Sequence, residues 1–158
     1  MMTTFTLQIA SNLPVSLPDL WRKVSTMDGV NHELTPFIHM TAPAGMRHIP
    51  FTQAPLKQML FTSWLLLFGV LPFDRHQLRL DEVWEGGFRE NSSSLIQRAW
   101  RHERIITANG TGSTLTDTLN FEPRISLLGY IIVPVVRFLF QHRHRRLNRL
   151  FAARTGED

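Results

Sequence analysis

The chain has no cysteine, so disulfides and thiolate metal sites are excluded, and the usual clue to redox compartment goes with them. It also lacks any apolar run of the roughly 20 residues that a helix needs to cross a bilayer. The two most apolar stretches are interrupted, Met59–Phe73 by Thr62 and Ser63, Tyr130–Phe140 by Pro134 and Arg137. The first 20 residues show no basic start followed by an apolar core, so no export signal is expected. These absences predict a soluble, cytoplasmic protein. Without export, Asn91-Ser92-Ser93 and Asn109-Gly110-Thr111 read as turns rather than glycosylation sites. There is no Ser/His/Asp nucleophile signature and no Gly-rich phosphate loop. Acid is missing from one segment: Arg137 to Arg154 holds six arginines and no Asp or Glu. That run could meet nucleic acid or anionic lipid. The plainer reading is cations favouring a helix C-terminus, because no aromatics are interleaved as a stacking surface needs.

What is present suffices for one core. The chain has 158 residues, is 43% hydrophobic and carries 11 Phe and 4 Trp, which predicts a single domain over residues 1–158. Thr4–Ala10 alternates as a half-buried strand. Ser16-Leu17-Pro18-Asp19 is a helix start: Ser16 caps, Pro18 needs no amide partner, and Asp19 holds the capping-box position. Gly29 is expected to end that helix or a second short one, with His32–Thr41 extended again. Thr41–Pro55, rich in Pro and Gly, reads as a long loop, of the kind that often covers a binding site. Met59–Phe68 suits a buried strand or a buried helix equally.

Gln77–Trp84 alternates, and Gly86-Gly87 turns the chain. Gly87–Asn91, Leu95–Ala108 and Ser113–Phe121 read as consecutive antiparallel strands, joined at Ser92–Ser94 and at Asn109–Gly112. After Pro123 the period becomes helical. Leu128, Ile131, Val135, Phe138 and His142 form one stripe, widened by Ile132, Val136, Leu139 or Phe140, Leu147 and Phe151. Pro134 must kink this helix or sit near its start.

Phe88-Arg89-Glu90 followed by Trp100-Arg101-His102-Glu103-Arg104 resembles the Phe-x-(Asp/Glu) and Trp-x-His-x-(His/Arg) strands of the START-like, or SRPBCC, superfamily. Thr116-Asp117-Thr118-Leu119 is similar to its next strand, and Leu67–Pro72 to the Gly–Pro turn after its third. Phe140–Leu147 is similar to the Phe-x-x-Arg ending of its long helix. The superfamily includes polyketide cyclases, lipid-transfer domains and plant pollen allergens. Ser92–Ser94 departs from the Gly-Pro-Phe turn of one subgroup, and Arg104 stands where that subgroup has a second His. The resemblance implies an α+β helix-grip fold: a curved seven-stranded antiparallel sheet around a long C-terminal helix, with two short helices after the first strand. Met59–Phe68 would then be a strand.

A tight turn at Asn109–Gly112 sets Arg104 opposite Asp117 and His102 opposite Leu119. A three-residue turn at Ser92–Ser94 would put Glu90 opposite Ile96. One face would then hold Glu90, Arg98, Trp100, His102, Arg104 and Asp117. Such a set could orient a polar ligand head or shuttle a proton. It could equally be a cross-strand ion pair with a satisfied histidine, and a register slip of one residue would move every side chain to the other face.

The expected ligand-binding residues are Trp64, Trp84, Phe88, Glu90, Arg98, Trp100, His102, Arg104, Asp117, Leu119, Ile131, Val135 and Phe138. His142 and His144 are two apart on a helix and cannot share a metal; the other histidines lack ligand spacing, so neither metal nor cofactor is expected. The expected function is binding of a small hydrophobic ligand, lipid-like or aromatic, between sheet and helix. The alternatives are a cyclase- or dehydratase-type enzyme using His102, Arg104 and Asp117 on a polyketide-like substrate, and an interaction protein using the basic helix end. The small ligand is the expected partner, with no nucleic acid, membrane contact possible but not expected, and oligomeric state left open.

Overall fold

The computed structural model describes residues 3–155. β1 (Phe5–Leu13) leads into two short helices, α1 (Leu17–Val24) and α2 (Met27–Leu34). Then come β2 (Ile38–Met40), two 3-10 turns at Ala44–Met46 and Phe51–Gln53, and five strands: β3 (Met59–Leu67), β4 (Leu71–Trp84), β5 (Gly87–Ser94), β6 (Gln97–Asn109) and β7 (Gly112–Pro123). The long helix α3 (Gly129–Thr155) closes the chain. All seven strands form one antiparallel sheet in the order β1-β7-β6-β5-β4-β3-β2, curled into a half-barrel.

Local chemistry explains the helices. Ser16 caps α1 by accepting from the Asp19 amide, with proline in the first turn. Gly29 does not terminate a helix as expected. It lies in the first turn of α2, where its amide donates to the Thr26 side chain, and a Cβ there would meet the Lys23 carbonyl oxygen at 2.0 Å. Glycine thus allows α1 and α2 to pack closely. α2 continues to Leu34, so the extended pattern expected from His32 begins only at β2. α3 runs through Pro134 without ending.

Ser92–Ser94 is strand, not turn. β5 continues to Ser94, and the reversal falls at Leu95–Ile96, whose amides donate to Asp74 Oδ1 at 3.0 and 3.3 Å. Asp74, supplied by the neighbouring strand, sets a turn that Ser92–Ser94 only mimics in composition. Glu90 therefore faces His102 rather than Ile96.

The concave face follows the alternation. Odd residues of β7, from Ser113 to Pro123, are buried. One end of the half-barrel is filled by Leu13, Leu20, Trp21, Val24, Met27, Val30, Leu78, Leu80, Phe88, Ile106, Leu115, Leu147 and Phe151, so α1, α2 and the end of α3 seal it. A second cluster, Leu7, Leu119, Phe121, Val136 and Phe140, joins α3 to β1 and β7. The β3–β4 turn, the β5–β6 turn, the start of β2 and the β7–α3 connection gather at the opposite end.

The inner face of α3 takes the residues that widen the expected stripe, Val136, Phe140, Leu147 and Phe151, and not its central line. Val136, Phe140, Arg143, His144, Leu147 and Phe151 are buried, whereas Ile131, Val135 and Phe138 are 66%, 51% and 44% exposed. The two apolar stripes overlap in the first half of α3. Packing of the second half, where Leu147 and Phe151 sit beside charged residues, decides the rotation.

Candidate functional site

Arg104 stands opposite Asp117, in the register the Asn109–Gly112 turn dictates, and both are fully buried. The contact is bidentate: Nε donates to Asp117 Oδ1 at 2.7 Å and Nη2 to Oδ2 at 2.8 Å. The other side of the guanidinium meets Glu33 of α2, with Nη1 donating to Oε2 at 3.0 Å and Nη2 2.9 Å from Oε1. Arg143 of α3 donates to the same Glu33 Oε1 at 3.0 Å. Asp117 also accepts from His102 Nε2 and His144 Nε2, each at 2.7 Å, and Ser11 Oγ lies 2.6 Å from His144 Nδ1. An arm extends along the sheet: His102 Nδ1 is 3.7 Å from Glu90 Oε1, and Glu90 Oε2 takes His76 Nε2 and Ser92 Oγ, each at 2.6 Å.

Burial alone would push the Asp117 carboxyl up, but Arg104 and His102 outweigh it and hold it well below the ordinary carboxylate range. Burial likewise opposes the ionised form of Glu33, and Arg104 with Arg143 overcomes it. For Glu90, the nearby His102 imidazole and the hydrogen bond from His76 overcome the same penalty. Burial would lower Arg104; Asp117 and Glu33 hold it above its usual value instead. Both Asp117 oxygens and both Glu33 oxygens are engaged. This half of the network thus clamps α2, β6, β7 and α3 together.

Along the same concave face Ser63, His76 and Ser94 are cross-strand neighbours, and the Gln97 amide donates to Ser94 Oγ at 2.9 Å. All four residues are buried. Among the described residues, Ser63 Oγ and Gln97 Oε1 have no hydrogen-bond partner.

The structure brings Glu90, His102, Arg104 and Asp117 together. Phe88 packs edge-on against His102 at 5.2 Å, Trp100 lies against Phe121, and Leu119 is buried in the second cluster. Arg98 does not join them: a bulge between Gln97 and Ala99 turns it to solvent. Trp64 is 44% exposed under Arg75, and Trp84 is half-buried under Arg89. Sequence reasoning missed Glu33, Arg143, His144, His76 and Ser63. The available signal was charge on an apolar helical stripe, Glu33 beside Val30 and Leu34, and Arg143 and His144 between Phe140 and Leu147.

The arginine-rich run is not one basic face. Arg143 is buried on Glu33, and Arg146 donates to the His32 carbonyl at 3.1 Å. His142 leaves the site as well, with Nε2 donating to the Thr35 carbonyl at 2.7 Å.

A family model described as a domain of unknown function, DUF8410, matches residues 11–151. The chain belongs to that family. No curated protein sequence matches it. Its backbone is similar to protein CV1439 from Chromobacterium violaceum, with TM-score 0.67 at 13% identity over 92% of this chain and 96% of that one. It is also similar to the di-domain ARO/CYC StfQ from the steffimycin biosynthetic pathway, with TM-score 0.67 at 9% identity over 97% of this chain and 52% of that one. Against Ara h 8.0201 the TM-score is 0.59 at 13% identity, over 92% of this chain and 98% of that one. These likenesses show a helix-grip fold, a curled seven-stranded antiparallel sheet with a long C-terminal helix. Among the described residues no helix is long and apolar enough to cross a membrane.

Proposed function

We propose that the protein reversibly binds a small hydrophobic ligand bearing a hydrogen-bonding group, on the concave side of the sheet under the first half of α3. The observation that carries this is the pair of buried, unpartnered atoms, Ser63 Oγ and Gln97 Oε1, on one cross-strand row. Leaving such an atom unsatisfied costs about 1–3 kcal/mol, and a ligand hydroxyl would offset that. Ile131, Val135 and Phe138 in the first half of α3 are left partly exposed, Phe138 beside Phe37 at 5.1 Å, and would give such a ligand apolar contact. Proteins of similar fold include the di-domain ARO/CYC StfQ, which agrees with an aromatic or polyketide-like ligand. A reaction routed through Arg104 or Asp117 has less support, because their hydrogen-bonding capacity is already used within the protein.

The test is native mass spectrometry of freshly purified protein, followed by thermal shift against hydroxylated aromatic and lipid libraries. The expected result is a co-purifying small molecule or a stabilising hit. Its affinity should fall about tenfold in Ser63→Ala with Gln97→Leu, as the loss of about one hydrogen bond implies. No bound molecule together with no shift would overturn the reading.

A further inference from the structure

We propose that the open end of the half-barrel docks on an anionic lipid bilayer. Three alternate connections meet there, and each puts a large apolar side chain at its tip. Phe68 and Val70 of the β3–β4 turn are 64% and 80% exposed, Leu95 of the β5–β6 turn 60%, and Ile125 and Leu127 before α3 61% and 75%. Tyr130, in the first turn of α3, is 73% exposed. These tips are held by the fold: Asp74 fixes the Leu95 turn through two amides, and the Phe68 amide donates to the Phe37 carbonyl at 2.7 Å. A patch built from several rigid turns is the kind that marks an interaction surface.

Charge selects the occupant. Arg75, Arg98, Arg124 and Arg137 are exposed around this end, and none has an ion pair among the described residues. The two acids nearby are spoken for: Asp74 is buried in the turn, and Glu122 is mostly buried, with Arg101 3.5 Å away. Trp64 lies under the Arg75 guanidinium at 5.9 Å, and Tyr130 stands edge-on to Phe5 at 5.9 Å. Aromatic rings with a polar edge settle at headgroup level, apolar tips pass just below it, and arginines meet lipid phosphates. A second copy of the chain fits less well. A two-fold contact would set the same arginine rim against itself.

The inference is independent of the ligand reading, since the tips point out of the half-barrel and the polar row lies inside it. The experiment is co-sedimentation of the full chain with vesicles of phosphatidylcholine alone, or phosphatidylcholine mixed with phosphatidylglycerol, at low and high salt. Binding is expected to the anionic vesicles only and to weaken with salt. Val70→Asp with Leu127→Asp should weaken it about tenfold or more, and Arg98→Glu with Arg137→Glu should weaken it similarly. All four positions are exposed, so melting temperature and thermal shift with any ligand found above should stay unchanged in these variants. Ser63→Ala with Gln97→Leu, conversely, should leave vesicle binding intact. Three results would overturn the proposal: no binding to anionic vesicles at low salt, equal binding to phosphatidylcholine alone, or a dimer in sedimentation velocity that the Val70→Asp, Leu127→Asp pair dissociates while vesicle binding is absent or unaffected.

Discussion

Arg104 is fully buried and hydrogen-bonds two carboxylates. It neutralises Asp117 and Glu33 at once, both fully buried. Removing a guanidinium so placed leaves two carboxylates with too few cations, and breaking such a buried pair costs about 3–5 kcal/mol. Replacing both Arg104 and Asp117 by apolar groups of similar size costs less than the two single changes added together, because Asp117 is no longer stranded and Glu33 keeps Arg143. Denaturant melts of Arg104→Met, Asp117→Leu and the double variant should therefore show strong favourable coupling, about 2 kcal/mol or more. Coupling near zero would mean that the pair is solvated and the network breathes. The pair itself was legible, since a tight turn at Asn109–Gly112 leaves one register for the strands beside it. Its third and fourth members were not. Glu33 and Arg143 reach Arg104 from α2 and α3, and nothing local in a sequence says which distant helix face will meet a given strand.

At the scale of the element, α3 shows how far periodicity reaches. The existence, length and amphipathic character of the helix follow from spacing, as do the strands around Gly86-Gly87 and the cap at Ser16. Its rotation does not, because Ile131, Ile132, Val133, Val135 and Val136 are apolar almost all round. Both faces satisfy a hydrophobic rule there. The face is settled by Phe140, His144 and Leu147 further on, where only one rotation gives His144 its carboxylate. Neighbouring valines make a clean test. Val136 is 7% exposed within the second core cluster, and Val135 is 51% exposed. Val136→Asp should cost about 3 kcal/mol or more by burying an unpaired carboxylate, while Val135→Asp should stay within about 0.5 kcal/mol of the parent. Urea melts at neutral pH separate the two; equal costs would mean that the helix sits in another rotation. β5 taught the same lesson in another form. Three serines look like a turn, but an acid two strands' worth of sequence earlier moves the reversal to Leu95–Ile96.

For the whole molecule, the network predicts how acid unfolds it. Glu33, Glu90 and Asp117 all have folded-state pKa values below those of the unfolded chain. Each therefore contributes stability that is fully present above the unfolded value, about pH 4, and that is lost as pH falls through the depressed folded value. In that window the unfolded chain binds a proton at each of these sites that the folded chain does not. Stability should then fall by about 1.4 kcal/mol per pH unit for each carboxylate, so about 4 kcal/mol per unit when all three contribute. Against a typical domain stability of about 5–15 kcal/mol, that slope unfolds the protein within a few units below about pH 4. Asp117→Asn removes one titrating group, so that variant should start less stable yet lose stability about one third more slowly with falling pH. Because the carboxylates tie α2, β6, β7 and α3 to one another, far-UV and near-UV circular dichroism should report a single coincident transition. Urea midpoints measured in steps down from neutral pH give both slopes directly. A midpoint that stays level down to about pH 3 would show that these carboxylates are not held ionised by the fold.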